Sequence, residues 1–204
     1  TSPSPTPSAT GTESPSSSAS ASPSASPTKS IKASGDFDWA TTTAAASGSQ
    51  GKLYRYAVAV DSRDLDALVR LFVDDVQVGR DLRGRDALRE SFRESLSAVG
   101  VTILNVGTHQ IDLDGADAAT GLVYCHGQVA DGDRWIHQSI LYRDTYARRN
   151  GEWLFVRRVH ELWYGQAVEN NPLEQPPAHW PTNPDGRGTV PESFETWAGF
   201  WSAT

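Results

Sequence analysis

Hydrophobic residues recur at helical spacing in the stretch from residue 51 to residue 100. A first helix, ending near Asp61, is predicted by apolar residues at positions i, i+3, i+4 and i+7, namely Leu53, Tyr56, Ala57 and Val60. The same spacing predicts a second helix, with Asp61 or Ser62 as its N-cap, from Leu65, Leu68, Leu71 and Phe72. A third helix, with Gly100 as its C-cap, is predicted by the stripe of Leu88, Phe92 and Leu96.

From residue 101 onward the pattern changes to the alternation that is typical of β-strands. Four segments rich in Val, Ile, Leu, Tyr and Trp are separated by short turns containing Gly, and they cover residues 101–113, 118–130, 134–149 and 152–164. They predict three hairpins of an antiparallel meander, whereas residues 75–81 hold at most one short strand. Helices followed by strands indicate an α+β fold, with three helices packed on one face of a strongly curved antiparallel sheet.

The two ends of the chain differ from this central part. All of the first 30 residues except Glu13 and Lys29 are Ser, Thr, Pro, Ala or Gly, so residues 1–49 are predicted to be a disordered tail. Residues 166–204 form a C-terminal extension rich in Pro and Gly. It is predicted to end in a short aromatic helix, capped by Thr189 and opened by Pro191, with one face formed by Phe194, Trp197 and Trp201.

Composition excludes several classes of function. Asp and Glu number 25 against 18 Lys and Arg, and the net charge of −7 argues against a nucleic-acid partner. No apolar run approaches the roughly 18 residues that would insert into a membrane. Cys125 is the single cysteine, and the five histidines lack metal-ligand spacing, so we expect no disulfide, metal or cofactor. The expected location is cytoplasmic, with an exported or surface-tethered parent protein as the alternative that the tail leaves open.

Three runs of the sequence resemble a known family. YRYAVAVDSRDLDALVRLFVDDV, GRDALRESF and YRDTYARRNGEWLFVRRVHELWYG resemble the SnoaL-like branch of the nuclear-transport-factor-like cone fold, over a domain at residues 50–165. The resemblance implies a cone of three helices closed against the sheet around an apolar pocket. Relatives include polyketide cyclases, scytalone dehydratase, ketosteroid isomerase and the small subunits of ring-hydroxylating dioxygenases, so activity has to be argued from the site itself.

The resemblance also implies roles for particular positions. Dehydratases and dehydrochlorinases of this family use an aspartate of the first helix to orient a histidine that acts as general base, and Asp61 matches that aspartate. The matching histidine position falls on Leu104 or Asn105, so the dyad lacks its histidine here. A second pocket histidine aligns with Val129, and the carboxylate of the cyclase aligns with Arg158, so these two groups are also replaced.

Strand alternation supplies further candidates. Asp144 shares a face with Tyr142, and His126 shares a face with Tyr124, so we expect both pairs to line the pocket. Cys125 then belongs to the core on the other face. Asp61, His126 and Asp144 are the candidate catalytic residues, and the candidate substrate-binding residues are Tyr56, His109, Tyr124, Tyr142, Arg158 and His160.

Two classes of function remain open from the sequence. The first is a cofactor-independent dehydratase, isomerase or cyclase that acts on a hydrophobic cyclic molecule, in which Asp61 orients or abstracts, His126 or His109 carries the proton, and Asp144 with a tyrosine holds the substrate oxygen. The second is a non-catalytic ligand-binding or assembly module, including a role like that of a dioxygenase small subunit.

We also expect a homodimer or larger oligomer, because aromatic residues can project from the outer sheet face, namely Trp135, Trp153 or Trp163.

Overall fold

The computed structural model describes residues 39–203, with side chains from residue 48 onward. The helices are α1 (Trp39–Asp61), α2 (Leu65–Val69), α3 (Arg85–Ser97) and α4 (Glu195–Ser202). The strands are β1 (Gln77–Val78), β2 (Leu82–Arg83), β3 (Thr102–Asp114), β4 (Ala118–Asp131), β5 (Arg134–Arg149) and β6 (Glu152–Val168). The part of the tail at residues 1–38 lies outside the described residues.

The long strands form one antiparallel sheet in the order β3-β4-β5-β6, as the alternation predicted. At the β5–β6 turn, Asn150 and Gly151 both have positive φ, 52° and 84°, and this conformation matches the right-handed twist of the paired strands. The helices pack on one face of the curved sheet, so the predicted α+β cone fold is confirmed. Residues 75–81 contain one short strand, β1, as predicted, and β1 pairs with β2, just beyond this segment, in a second, small sheet.

The helix boundaries also differ from the predicted ones. Helix α1 begins at Trp39, inside the segment that the composition assigned to the disordered tail. The N-cap of α2 is Asp64, whose side chain accepts a hydrogen bond from the backbone N–H of Ala67, so the prediction of Asp61 or Ser62 was wrong. Helix α3 ends with Ala98 as its C-cap, ahead of the predicted Gly100.

The main core lies between the helices and the inner face of the sheet. Leu53 of α1, Leu68 of α2 and Phe155 of β6 have no exposed surface. Phe155 contacts Phe72 with ring centroids 5.1 Å apart and Tyr146 at 5.2 Å. Burial of one such ring contributes about 2 to 3 kcal/mol. This packing fixes α1 against the sheet and thereby sets the position of Asp61 at its C-terminal end.

The C-terminal extension packs on a second core cluster formed by Val101, Ala130 and Trp135, which Trp197 of α4 contacts. The predicted aromatic face was wrong. Residues 191–193 form a separate 3-10 turn without a side-chain cap, and the extended backbone of Phe194 interrupts the helix, so Phe194 and Trp201 remain exposed. Phe200 is buried in their place.

Trp135 and Trp153 are buried as well. Of the three tryptophans that were predicted to project from the outer sheet face, the structure therefore leaves Trp163 exposed.

Candidate functional site

Asp61, the last residue of α1, faces the start of β3 with a half-buried carboxylate. Its Oδ1 accepts a hydrogen bond from the Thr102 hydroxyl at 3.0 Å, and its Oδ2 accepts one from the backbone N–H of Leu104 at 3.0 Å. Two neutral donors thus fix the orientation of the carboxylate.

Burial raises the pKa of Asp61 to about 6 from its ordinary value of 3.8. The hydrogen bonds from Leu104 and Thr102 and the nearby charge of Arg63 act in the opposite direction but do not offset the loss of water. At neutral pH the group is ionised in most molecules, and it is a stronger base than an ordinary aspartate. Its proton affinity is close to that of an imidazole, and general bases work best when their pKa lies near the working pH.

No histidine of the described part of the chain hydrogen-bonds Asp61. The backbone of Leu104 occupies the place next to the carboxylate, which agrees with the alignment that put Leu104 or Asn105 at the position of the family histidine. A mechanism in which this aspartate orients an imidazole therefore has no imidazole to orient here.

A second polar cluster lies deeper, where Asp144 of β5 pairs directly with Arg158 of β6. Arg158 donates from Nε to Asp144 Oδ1 at 2.8 Å and from Nη2 to Oδ2 at 2.6 Å. The Tyr146 hydroxyl also donates to Asp144 Oδ2, at 2.7 Å. Both carboxylate oxygens are engaged inside the core, and this differs from the substrate-contacting role that the sequence analysis gave to Asp144.

Three aromatic rings enclose the Arg158 guanidinium. Its central carbon lies 4.3 Å from the ring centroids of Tyr56 and Tyr142 and 4.4 Å from that of Phe155. Burial works against the charged form of Arg158, but the hydrogen bonds and charge of Asp144 outweigh this effect and raise its pKa above the ordinary value. The cation and its carboxylate form a neutral unit within an aromatic shell.

The phenols in this shell stay protonated. Burial raises the pKa of Tyr56 and raises that of Tyr142 well above its usual range. A protonated phenol donates a hydrogen bond to an oxygen or halogen that gains negative charge, so both tyrosines carry usable donors.

Cys125 of β4 is a buried thiol whose pKa responds to the charges of both polar clusters. It faces the interior from β4 as a buried residue, and burial raises the pKa of its thiol to about 11. Its thiol is close enough to Arg158 and to Asp61 for both charges to affect its pKa. The thiol therefore stays protonated at pH 7, and the charges of both polar clusters influence it.

Tyr124 and His126 occupy the outer face of β4, contrary to the prediction. Both are exposed, and the Tyr124 ring contacts that of Trp163 at 5.1 Å on the outer surface. Since alternation places Cys125 inside, its neighbours in sequence point out. His126 therefore cannot carry a proton to or from Asp61.

The other two candidate histidines lie on the inner side. His160 is exposed and edge-on to Tyr142, with ring centroids 5.5 Å apart. His109 is half-buried beside Tyr146, its Nε2 has no hydrogen-bond partner within the described chain, and burial lowers its pKa. Lowered basicity keeps His109 neutral at pH 7.

Sequence reasoning missed two residues that contact the Asp61 site. Thr102 is the first residue of β3, and a threonine there is unremarkable because strands favour β-branched residues. Arg63 follows α1 in a charged loop, where side chains are usually solvated, yet it is 2% exposed. The only available signal was the position of Arg63 two residues after the aspartate that the resemblance selected.

The raised pKa of Asp61 predicts that the unfolding free energy of the protein depends on pH. The pKa of Asp61 is higher in the folded protein than in the unfolded chain, so the folded protein binds the proton more tightly. This binding stabilises the folded protein at low pH. The stabilisation is lost as the pH rises from 3.8 through about 6. Between about pH 4.5 and pH 8, we expect the wild type to lose about 2 kcal/mol of unfolding free energy relative to Asp61→Asn. Urea unfolding of both proteins at the two pH values measures this difference. A difference that is constant with pH would contradict the assignment.

Two further features bear on the kind of site this is. Within residues 39–203, no helix combines the length and hydropathy that a membrane crossing requires. In the same part of the chain, no three His, Cys, Asp or Glu side chains converge as metal ligands would.

Solved structures with a similar fold come from several proteins. A hexachlorocyclohexane dehydrochlorinase, LinA-type3 from Novosphingobium barchaimii, matches 64% of this chain and 94% of its own, with 17% identity and a TM-score of 0.58. A candidate scytalone dehydratase from Novosphingobium aromaticivorans matches 64% and 92%, with 19% identity and a TM-score of 0.54. Rv3472 from Mycobacterium tuberculosis, of unknown function, matches 59% and 73%, with 22% identity and a TM-score of 0.52. At these identities the likeness shows the fold alone.

Comparison of the sequence with known sequences and family models gives a family match. No curated protein sequence matches the chain. The family model of the SnoaL-like domain matches residues 50–159, a stretch that contains Asp61, the four-stranded sheet up to Val159 and both members of the Asp144–Arg158 pair. This match covers more than half of the chain and coincides with the cone, so the protein belongs to the SnoaL-like family.

Proposed function

We propose that this SnoaL-like domain is a cofactor-independent lyase or isomerase that removes a proton from a hydrophobic cyclic small molecule, with Asp61 as the general base. The observation that carries the proposal is a half-buried carboxylate, fixed by two hydrogen bonds, whose pKa of about 6 suits proton abstraction near neutral pH. Structural neighbours that are named as a dehydrochlorinase and a dehydratase support this class of reaction.

The proposed step moves one proton and one electron pair. An Asp61 oxygen takes a proton from a substrate carbon, and the pair left behind either forms a double bond as a neighbouring leaving group departs or moves onto a conjugated carbonyl oxygen. In the first case the product is an alkene and the step is an elimination. In the second case the enolate recovers the proton from Asp61 at another carbon, and the step is an isomerisation.

The tyrosines supply the complementary charge stabilisation. Tyr56 and Tyr142 remain protonated because their pKa values are raised by burial, so each can donate a hydrogen bond to the developing anion. Asp144 holds Arg158, and Arg158 in turn packs on both tyrosine rings. We therefore assign Asp144 and Arg158 to holding the tyrosines in place, with Asp61 as the reacting carboxylate.

A hydrophobic substrate is inferred from the composition of the interior. Aromatic rings enclose the buried Asp144–Arg158 pair, the Cys125 thiol nearby is neutral, and the pair has no net charge to attract an ionic substrate. A flat or cyclic apolar molecule gains dispersion and area burial against such rings.

The proposal is tested by incubating the full chain in D2O with polychlorinated cyclohexanes, cyclic ketones and hydroxylated aromatic ketones, followed by mass spectrometry. We expect deuterium exchange, or loss of HCl or water, from one of these classes. Asp61→Asn should lack the reaction, and Asp66→Asn, which changes an exposed carboxylate of α2, should retain it. Thermal stabilisation by a ligand without exchange or elimination in any class would contradict catalysis and favour the binding module.

A further inference from the structure

Arg63 adopts a backbone conformation that an arginine rarely takes. Its φ is 61°, in the left-handed region, which is unfavourable for a residue with a side chain. Glycine or asparagine would fit this turn with less strain. Strained residues of this kind persist where surrounding contacts hold them, often next to functional groups. The contacts of the buried Arg63 side chain therefore need an explanation.

The Arg63 guanidinium joins the end of α1 to the start of β3. Its Nη1 donates to the Val60 carbonyl at 2.7 Å and to the Thr102 hydroxyl at 2.9 Å, and its Nη2 donates to the Gly100 carbonyl. The planar fork fixes all three acceptors relative to one another. Of these acceptors, Thr102 is the one that also contacts Asp61.

The direction of the Thr102 hydrogen bond follows from this arrangement. A threonine hydroxyl has one proton, and its oxygen here accepts from Arg63 while the proton lies toward Asp61 Oδ1. Arginine cannot accept a hydrogen bond, so the reverse order is excluded. We propose that Arg63, covered by Trp197 of the C-terminal helix, is a positioning residue that holds Thr102 as a hydrogen-bond donor to the Asp61 carboxylate.

Helix α4 completes this arrangement from the far end of the chain. The Trp197 ring lies 4.8 Å from the central carbon of Arg63, and the Thr196 hydroxyl donates to the Ser62 carbonyl at 2.6 Å. A ring over the guanidinium attracts the cation and keeps water from its face. The C-terminal helix thus acts on Asp61 through Arg63 without touching the carboxylate.

Few other charged groups influence the pKa of the Asp61 carboxylate. Asp61 receives a charge contribution from Arg63 on the loop that follows α1, and β3 offers it the uncharged donors of Thr102 and Leu104. On β4, the Asp61 charge affects the pKa of the Cys125 thiol, which is neutral at pH 7. Changes at Thr102 or Arg63 should therefore be visible in the titration of Asp61.

The test compares Thr102→Val, which keeps the shape but removes the hydroxyl, with Thr102→Ser, which keeps the hydroxyl. The pKa of Asp61 is measured in the full chain by NMR titration of its 13C-labelled carboxyl. We expect Thr102→Val to raise this pKa by about one unit, because the ionised form loses one hydrogen bond, and Thr102→Ser to restore it. Arg63→Lys should also raise it, since an ammonium on a flexible stem does not reproduce the fork.

The role of the C-terminal helix is tested with Trp197→Ala against Phe194→Ala, an exposed residue that precedes the same helix. Removing Trp197 should release the guanidinium, weaken its hold on Thr102 and thereby raise the Asp61 pKa, and removing Phe194 should leave this pKa unchanged. An unchanged pKa in Thr102→Val, or an equal shift in Thr102→Ser, would overturn the proposal. If Trp197→Ala fails to fold, the Thr102 pair and Arg63→Lys still decide, because an unchanged Asp61 pKa in Arg63→Lys would also overturn the proposal.

The functional significance of this inference rests on the proposed function, because Asp61 is the proposed base. The test of the inference itself needs no substrate. If no substrate is turned over and Thr102→Val shifts the titration, the proposed function fails and the positioning role stands. If turnover is observed and the titration does not respond to Thr102 or Arg63, the positioning role fails alone.

Discussion

Turnover is expected to fall by about 10² to 10⁴-fold when Asp61 is replaced by asparagine, once a substrate has been identified. An amide has nearly the shape of the carboxylate but cannot take up a proton. The Leu104 N–H can still donate to the side-chain oxygen, so the fold should persist. Steady-state kinetics of both proteins measure the loss, which should appear in kcat, because the abstraction step itself is lost.

The pH dependence gives this prediction a second readout. The ionised form of Asp61 is the active base, so kcat/KM should rise with pH and level off above about 6, the pKa of the folded protein. Asp66→Asn is the matched control and should follow the wild-type curve. Full activity of Asp61→Asn, or a profile that stays flat between pH 4.5 and pH 8, would remove Asp61 from the mechanism.

The second large effect concerns stability. Asp144→Asn is expected to lower the unfolding free energy by about 3 to 5 kcal/mol, because the Arg158 charge would remain buried without its counter-charge. The side chain of Asp144 has no exposed surface and that of Arg158 is 5% exposed, so water cannot replace the lost partner. Denaturant unfolding at neutral pH measures the change.

The outer sheet face provides the control for this substitution. Arg143 and Glu161 form an ion pair of similar length, with one hydrogen bond of 2.7 Å between Nε and Oε2, but both side chains are well exposed. Glu161→Gln should therefore cost at most about 1 kcal/mol. Replacing both buried partners with apolar residues, Asp144→Leu with Arg158→Met, should recover most of the loss. Equal effects of Asp144→Asn and Glu161→Gln would show that burial does not set the strength of the inner pair.

The strands could be predicted from sequence because alternation is a local property, and the four long segments match β3 to β6. The inward face of β4 could not, since Tyr124, Cys125 and His126 offer apolar character on both faces. A preference for aromatic and histidine side chains selected the wrong one. A one-residue choice of this kind reverses every side chain of a strand.

The site was predictable only in part. The resemblance identified Asp61, and the pattern of β5 placed Asp144 in the interior, but Arg63 acts through a turn with positive φ and through α4. Neither a positive φ at an arginine nor a contact across the length of the chain leaves a periodic signal. The aromatic stripe failed for a related reason, because the extended backbone of Phe194 separates it from Trp197 and Trp201.

The bond from Thr196 to Ser62 spans 134 residues of sequence and has a consequence for synthesis on the ribosome. A nascent chain emerges from its N-terminal side at about 5 to 20 residues per second, so helix α1 and its carboxylate leave the exit tunnel well before α4 exists. During that interval Arg63 lacks its aromatic cover. The base that we propose therefore reaches its final environment only after α4, which is translated more than a hundred residues later, has left the exit tunnel.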